Sequence, residues 1–138
     1  MGSTNTTLLS SLSKLQKRVL KIVLGYKHRV NFDVFKGSKL LTLQNIYKYK
    51  INLLMFKVNT NLVPEVVRDL FVCNSNIHYH RTRGHFQYHV QYARTETFAR
   101  SIRIRGVNIW NRTIQFVDPG NSMFVFKKRV KNFFLSAQ

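Results

Sequence analysis

Apolar residues near the start of the chain recur with a helical period. Leu8, Leu12, Leu15, Val19, Ile22 and Val23 follow at steps of three, four and one, which lays them on one stripe of a helix. Thr6 or Thr7 can cap its start, and Gly25 stands where it should stop. Lys14, Lys17, Arg18 and Lys21 fall on the other side, so the helix is amphipathic with a cationic face. Phe32 and Phe35 read as core plugs in the turn-rich stretch before Gly37. Thr42 then opens a second helix that runs to about Val58, with Leu43, Tyr47, Ile51, Leu54 and Val58 as its apolar line. Ile46, Leu53 and Phe56 widen that line, which predicts a central helix packed on more than one side. Residues 59–61 end it. Pro64 suits the first turn of a shorter third helix, with Glu65 near its N-terminus and Val67, Leu70 and Phe71 inward.

From Asn74 to Arg112 the helical period gives way to mixed polar, aromatic and basic residues. Ser101-Ile102-Arg103-Ile104-Arg105 alternates strictly, which predicts a strand with the isoleucines inward and both arginines outward. Residues 86–92 alternate less cleanly and are expected to pair with it. Asp118-Pro119-Gly120 is a turn, and Asn121 or Ser122 can cap a last helix. Phe126, Val130, Phe133 and Phe134 give that helix an apolar side, while Lys127, Lys128, Arg129 and Lys131 give it a second cationic face. The expected fold is mainly α with a small β element, a short strand pair near residues 86–105. Three stretches make up one domain: a helical part over 1–73, a basic and aromatic part over 74–120, and a basic amphipathic helix over 121–138.

Charge changes the picture most. In 138 residues there are 23 Lys plus Arg against 5 Asp plus Glu, a net charge of +18. That imbalance points to a polyanionic partner, nucleic acid or an anionic membrane surface. Cys73 is alone, which rules out an intramolecular disulfide and argues against an oxidising compartment. The apolar runs are short and broken by Lys or Arg, so no membrane span is expected, and no signal peptide is visible. An intracellular location, cytoplasmic or nuclear, follows as the expectation.

The residues offer little for catalysis. The five acids are Asp33, Glu65, Asp69, Glu96 and Asp118; only Glu65 and Asp69 share a helix face, and Arg68 beside them explains both as ion-pair partners. Two-metal chemistry requires carboxylates clustered on adjacent elements, and no Asp-Asp pair exists here. Cys73 follows an apolar helix and reads as a small packed residue rather than a nucleophile. Cys73, His78, His80, His85 and His89 are zinc-ligand types, but their spacing fits no common finger, and polar loop histidines are the simpler reading. No cofactor is called for, and the chain is not expected to be an enzyme on its own.

Cations interleaved with aromatics carry the strongest signal. His78-Tyr79-His80-Arg81-Thr82-Arg83, Arg94, Arg100, Arg103, Arg105 and Arg112 cluster in the part expected to be non-helical. Arginine forks onto phosphates, and Tyr or His stacks on unpaired bases. Together with the two cationic helix faces they favour nucleic acid over lipid, although the first helix alone could lie on an anionic bilayer. Trp110 reads as core.

These residues also resemble a known family over nearly the whole chain. Leu15-Gln16-Lys17-Arg18-Val19-Leu20-Lys21-Ile22 is similar to the basic helix that begins the thumb in reverse transcriptases of non-LTR (LINE-type, jockey-like) retrotransposons. Leu62-Val63-Pro64 with Leu70-Phe71 resembles that family's L-L-P segment and following helix, and Ile77-His78-Tyr79-His80-Arg81-Thr82-Arg83 its H-x-Y-x-T-R loop. Ser101-Ile102-Arg103-Ile104-Arg105-Gly106 with Ile109-Trp110-Asn111 is similar to its S-x-x-x-x-G-x-x-x-W-N stretch, and Phe126-Lys127-Lys128-Arg129-Val130-Lys131 to its closing basic helix. His80 replaces the loop tyrosine, and the proline usual after W-N is missing. Gly2 fits the glycine of a W-G pair with Met1 in place of Trp, which suggests a frame opening inside a longer element or a truncated copy.

The resemblance implies an RNA-directed DNA polymerase family, but the fingers, the palm and its metal-binding Asp pair are absent from this chain. What carries over is the thumb's role of gripping RNA or an RNA–DNA template–primer by its backbone. Lys14, Lys17, Arg18 and Lys21 are expected on duplex phosphates; Arg81, Arg83, Arg103 and Arg105 on backbone or single-stranded RNA; and Lys127 and Lys128 extend the basic surface. The alternatives are a piece that docks onto a polymerase palm on another chain, and a non-functional translated remnant.

Overall fold

A computed structural model of the chain describes residues 6–25, 34–36, 38–77, 79–81 and 83–137. The expected plug Phe32, as well as Asp33, Gly37 and His78, lies outside them, as do the side chains of the candidate caps Thr6 and Thr7. The elements are helices α1 (Thr6–Val23), α2 (Leu43–Asn59), α3 (Glu65–Arg68), α4 (Glu96–Ala99), α5 (Val107–Thr113) and α6 (Met123–Ser136). A short 3-10 turn covers Asn74–Asn76, and a π-helical turn covers Ile102–Gly106.

Local chemistry sets the ends of α2. The Thr42 hydroxyl accepts from the Asn45 N–H at 3.3 Å, satisfying one of the donors that a helix start leaves unpaired. At the other end Asn61 takes φ +56°, and the Leu62 N–H turns back to the Lys57 carbonyl at 2.8 Å. Asparagine is the non-glycine residue that best tolerates this left-handed cap. Gly25 closes α1 in the same way at φ +69°.

Helix α2 lies at the centre, packed on α5, α6 and α1 and on the π-helical turn. Its Met55 and Phe56 are buried against Trp110 of α5 and Phe126 of α6, with the Phe56 and Phe126 rings stacked at 4.6 Å. Trp110 is only 2% exposed, so it is a core residue. Leu20 of α1 forms a separate small cluster with Val34 and Phe35.

Two expectations require correction. Residues 101–105 are not a strand: the π-helical turn runs directly into α5. Ile104, Val107, Trp110, Thr113 and Val117 are buried at steps of three and four, and this longer helical period overrides the five-residue alternation. Gly106 lets this turn close on itself, since a Cβ there would stand 2.8 Å from the Ile102 side chain. Nor do residues 86–92 pair with that stretch. Tyr88 instead forms an isolated antiparallel bridge with Cys73, bounded by Asn74 N–H to Gln87 O (2.9 Å) and His89 N–H to Val72 O (2.7 Å). Among the described residues there is no strand pair.

Candidate nucleic-acid interface

Helix α1 has three faces rather than two. At about 100° per residue, Leu9, Ser13, Gln16 and Leu20 fall on one line, and these are the side chains turned toward the rest of the chain. Gln16 makes the decisive contact: its Oε1 accepts from the Leu43 N–H, and its Nε2 donates to the Leu41 carbonyl, both at 3.0 Å. One side chain thus fills an open donor at the start of α2 and fastens α1 there. The stripe Leu8, Leu12, Leu15, Val19, Ile22 and Val23 stays 52–73% exposed and contributes nothing to the core. Lys14, Lys17 and Arg18 point to solvent on the third face, while Lys21 is half-buried.

Helix α6 carries the second cationic face. Phe124, Lys127, Lys128 and Lys131 share one side by their i, i+3, i+4, i+7 spacing, and all four are exposed. Phe126, Val130 and Phe134 fill the neighbouring side and are buried. The two cationic helices come together at the N-terminal end of α2. Gln16 of α1 binds residues 41 and 43 there, and the Asn45 side chain donates to the Phe134 carbonyl at the end of α6.

The four described acids are all engaged in ion pairs. Glu65 and Asp69 flank Arg68, Glu96 holds Arg100 at 2.9 Å, and Asp118 holds Arg129 at 2.9 Å. Such exposed pairs are each worth about 0–1 kcal/mol, so their consequence is the placement of charge rather than stability. None of the described ion pairs involves Lys14, Lys17, Arg18, Lys127 or Lys128. Arg129, expected within the cationic face, is turned aside by Asp118.

The loop candidates divide. Arg81 and Arg83 are exposed, and the Arg81 guanidinium lies 5.8 Å above the Phe86 ring, itself exposed. Tyr79 and Tyr92 are open to solvent as well. Arg103 and Arg105 are not the outward rungs of a strand; both are half-buried on the π-helical turn, and Arg103 covers the Phe98 ring at 5.8 Å. Among the described residues no three His, Cys, Asp or Glu side chains group closely enough to hold a metal. The Cys73 thiol donates to the His85 and Gln87 carbonyls at 3.4 Å, a packing role.

Sequence reasoning missed Gln16 and Asn111. Asn111 Oδ1 accepts from the Tyr88 N–H at 3.1 Å, and its Nδ2 donates to the Tyr88 carbonyl at 2.8 Å. The amide therefore pairs with backbone as a neighbouring strand would, and it ties the basic loop to α5. A polar residue bonded across 23 positions leaves no periodic trace. Gln16→Ala removes two bonds of about 0.5–1.5 kcal/mol each. Because α1 rests on its own small cluster, we expect amide exchange in α1 to speed up about 10- to 100-fold while α2 and α6 keep their protection. Equal acceleration throughout would contradict the local role of this anchor.

Burial, reinforced by the neighbouring Cys73, pushes the Tyr88 hydroxyl up to about 12. The unfolded chain ionises it near pH 10, so the fold favours the neutral phenol. Its stabilising contribution is therefore complete below pH 10 and is lost as pH rises from about 10 to 12. The unaltered chain should lose stability relative to Tyr88→Phe across that window and track it in parallel below. Parallel curves up to pH 12 would refute the assignment.

No helix among the described residues is long and apolar enough to cross a membrane. The chain matches no protein-family model, no curated protein and no solved structure.

Proposed function

We propose that this chain binds nucleic acid through its backbone, as the thumb and post-thumb segment of a non-LTR retrotransposon reverse transcriptase, and that it performs no catalytic step itself. The observation that carries the reading is the pair of exposed cationic faces, Lys14/Lys17/Arg18 and Lys127/Lys128/Lys131, on helices anchored at one end of α2, with the four described acids paired to Arg68, Arg100 and Arg129. Phosphate recognition requires cations free of internal partners on a rigid support, and it reads no sequence. Labelled homopolymer RNA and an RNA–DNA hybrid provide the test. Anisotropy titrations should give affinities for oligo(U), oligo(A) and the hybrid within about tenfold of one another, as sequence-tolerant phosphate contacts dictate. Binding to none of the three refutes the proposal.

A second reading has one observation in its favour. The open apolar stripe of α1 fits an element that docks onto a polymerase palm on another chain. Under that reading the isolated chain binds RNA weakly and with little response to salt, because charge is incidental to its role.

A further inference from the structure

We propose that Phe116 and the cleft beside it hold one unpaired base of a bound strand, an inference that rests on the nucleic-acid reading and names where single-stranded rather than duplex RNA is gripped. Phe116 is 74% exposed, yet its ring lies on Phe133 at 5.8 Å between centroids and 15° between planes. Phe133 in turn meets the buried Phe134 edge-on at 5.3 Å. The outermost ring is therefore braced through an offset stack while most of its surface stays open. Its backbone is fixed as well: the Phe116 and Val117 N–H groups both donate to the Thr113 carbonyl, at 3.0 and 2.9 Å. A ring so held loses little freedom when a base settles on it, which is what an aromatic platform requires.

The adjoining cleft, about 430 Å³, is bordered by Asp118, Arg129 and Asn132. Its chemistry selects a base over a phosphate. The Asp118 carboxylate repels an anion, and Arg129 is already turned to it, with Nη1 2.9 Å from Oδ2 and 3.0 Å from the Asp118 carbonyl. The Asn132 amide, exposed on α6, supplies a donor and an acceptor for a base edge. Lys128 stands one turn before Asn132 on the same side of α6, leading from the cleft to the cationic stripe where the flanking phosphates bind. Base on the platform and backbone along Lys127, Lys128 and Lys131 form one continuous track.

Equal-length oligo(U) and a perfectly paired RNA duplex, titrated at one ionic strength, test this. Phe116→Ala should weaken oligo(U) binding about 5- to 100-fold, leave the duplex within about twofold, and leave the salt slope unchanged. Phe116→Leu, which keeps an apolar contact with Phe133 but offers no π-face, should behave the same way and covers the case in which the alanine variant folds poorly. Phe116→Trp should retain affinity and report stacking through fluorescence quenching, against a buried and constant Trp110. Unaltered oligo(U) affinity in both the alanine and leucine variants, with steep salt dependence intact, overturns the platform and leaves the wider reading standing. Equal weakening of single strand and duplex also overturns it. Failure of the unaltered chain to bind either ligand overturns both proposals.

Discussion

Phe126→Ala should cost about 3–5 kcal/mol of folding free energy, more than any surface substitution in this chain. Phe126 has no exposed surface and lies between two partners, stacked on Phe56 at 4.6 Å and tilted against Trp110 at 5.7 Å. Truncation removes both ring contacts and leaves a cavity at the point where α2, α5 and α6 converge, with three helices holding its walls apart. A domain of this size has about 5–15 kcal/mol in total, so the loss is roughly a fifth of it or more. The melting temperature should fall by about 10–15 °C, or the cooperative transition should disappear. A melting curve that overlays the unaltered chain would contradict the placement of the core.

The second large effect concerns binding and should leave the fold alone. Lys14, Lys17 and Arg18 are exposed on the face of α1 that touches neither the core nor the apolar stripe. Replacing all three with alanine adds good helix formers and removes no packed side chain, so the melting temperature should hold within about 3 °C. Removing one phosphate-binding cation lowers the salt slope on single-stranded RNA by about 0.7, which at 0.1 M salt amounts to roughly fivefold in affinity. The triple variant should therefore bind oligo(U) about 30- to 130-fold more weakly, with a slope shallower by about 2.1. Matching oligo(U) affinity in the variant and the unaltered chain would remove α1 from the interface.

Both predictions draw on parts of the structure that were readable in the residues to different degrees. Helices α2 and α6 were legible because Thr42, Asn61 and the Asp118-Pro119-Gly120 turn bound long apolar periods that the core then uses. Helix α1 was legible as a helix, but not its orientation. The apolar line that periodicity selects is the one left open, and a glutamine bonded to the next helix's end decides which side faces in. The alternation at 101–105 misled because five residues fit a strand and a widened helical turn equally well; the longer run through Val117 decides between them. That error also turned Arg103 outward, whereas it half-covers Phe98. Lys14, Lys17, Arg18, Lys127 and Lys128 stand exposed, as helical period alone places them, whereas Lys21 is half-buried. The capture of Arg129 by Asp118, eleven residues away, and the bracing of an exposed Phe116 depend on chain folding that periodicity does not encode.

Salt titration of RNA binding by the unaltered chain tests the central claim most directly. With about six phosphates neutralised, the logarithm of affinity should fall against the logarithm of salt concentration with a slope near −4 for a single strand and near −5 for a duplex. A slope near zero, or no measurable binding in dilute buffer, would contradict it.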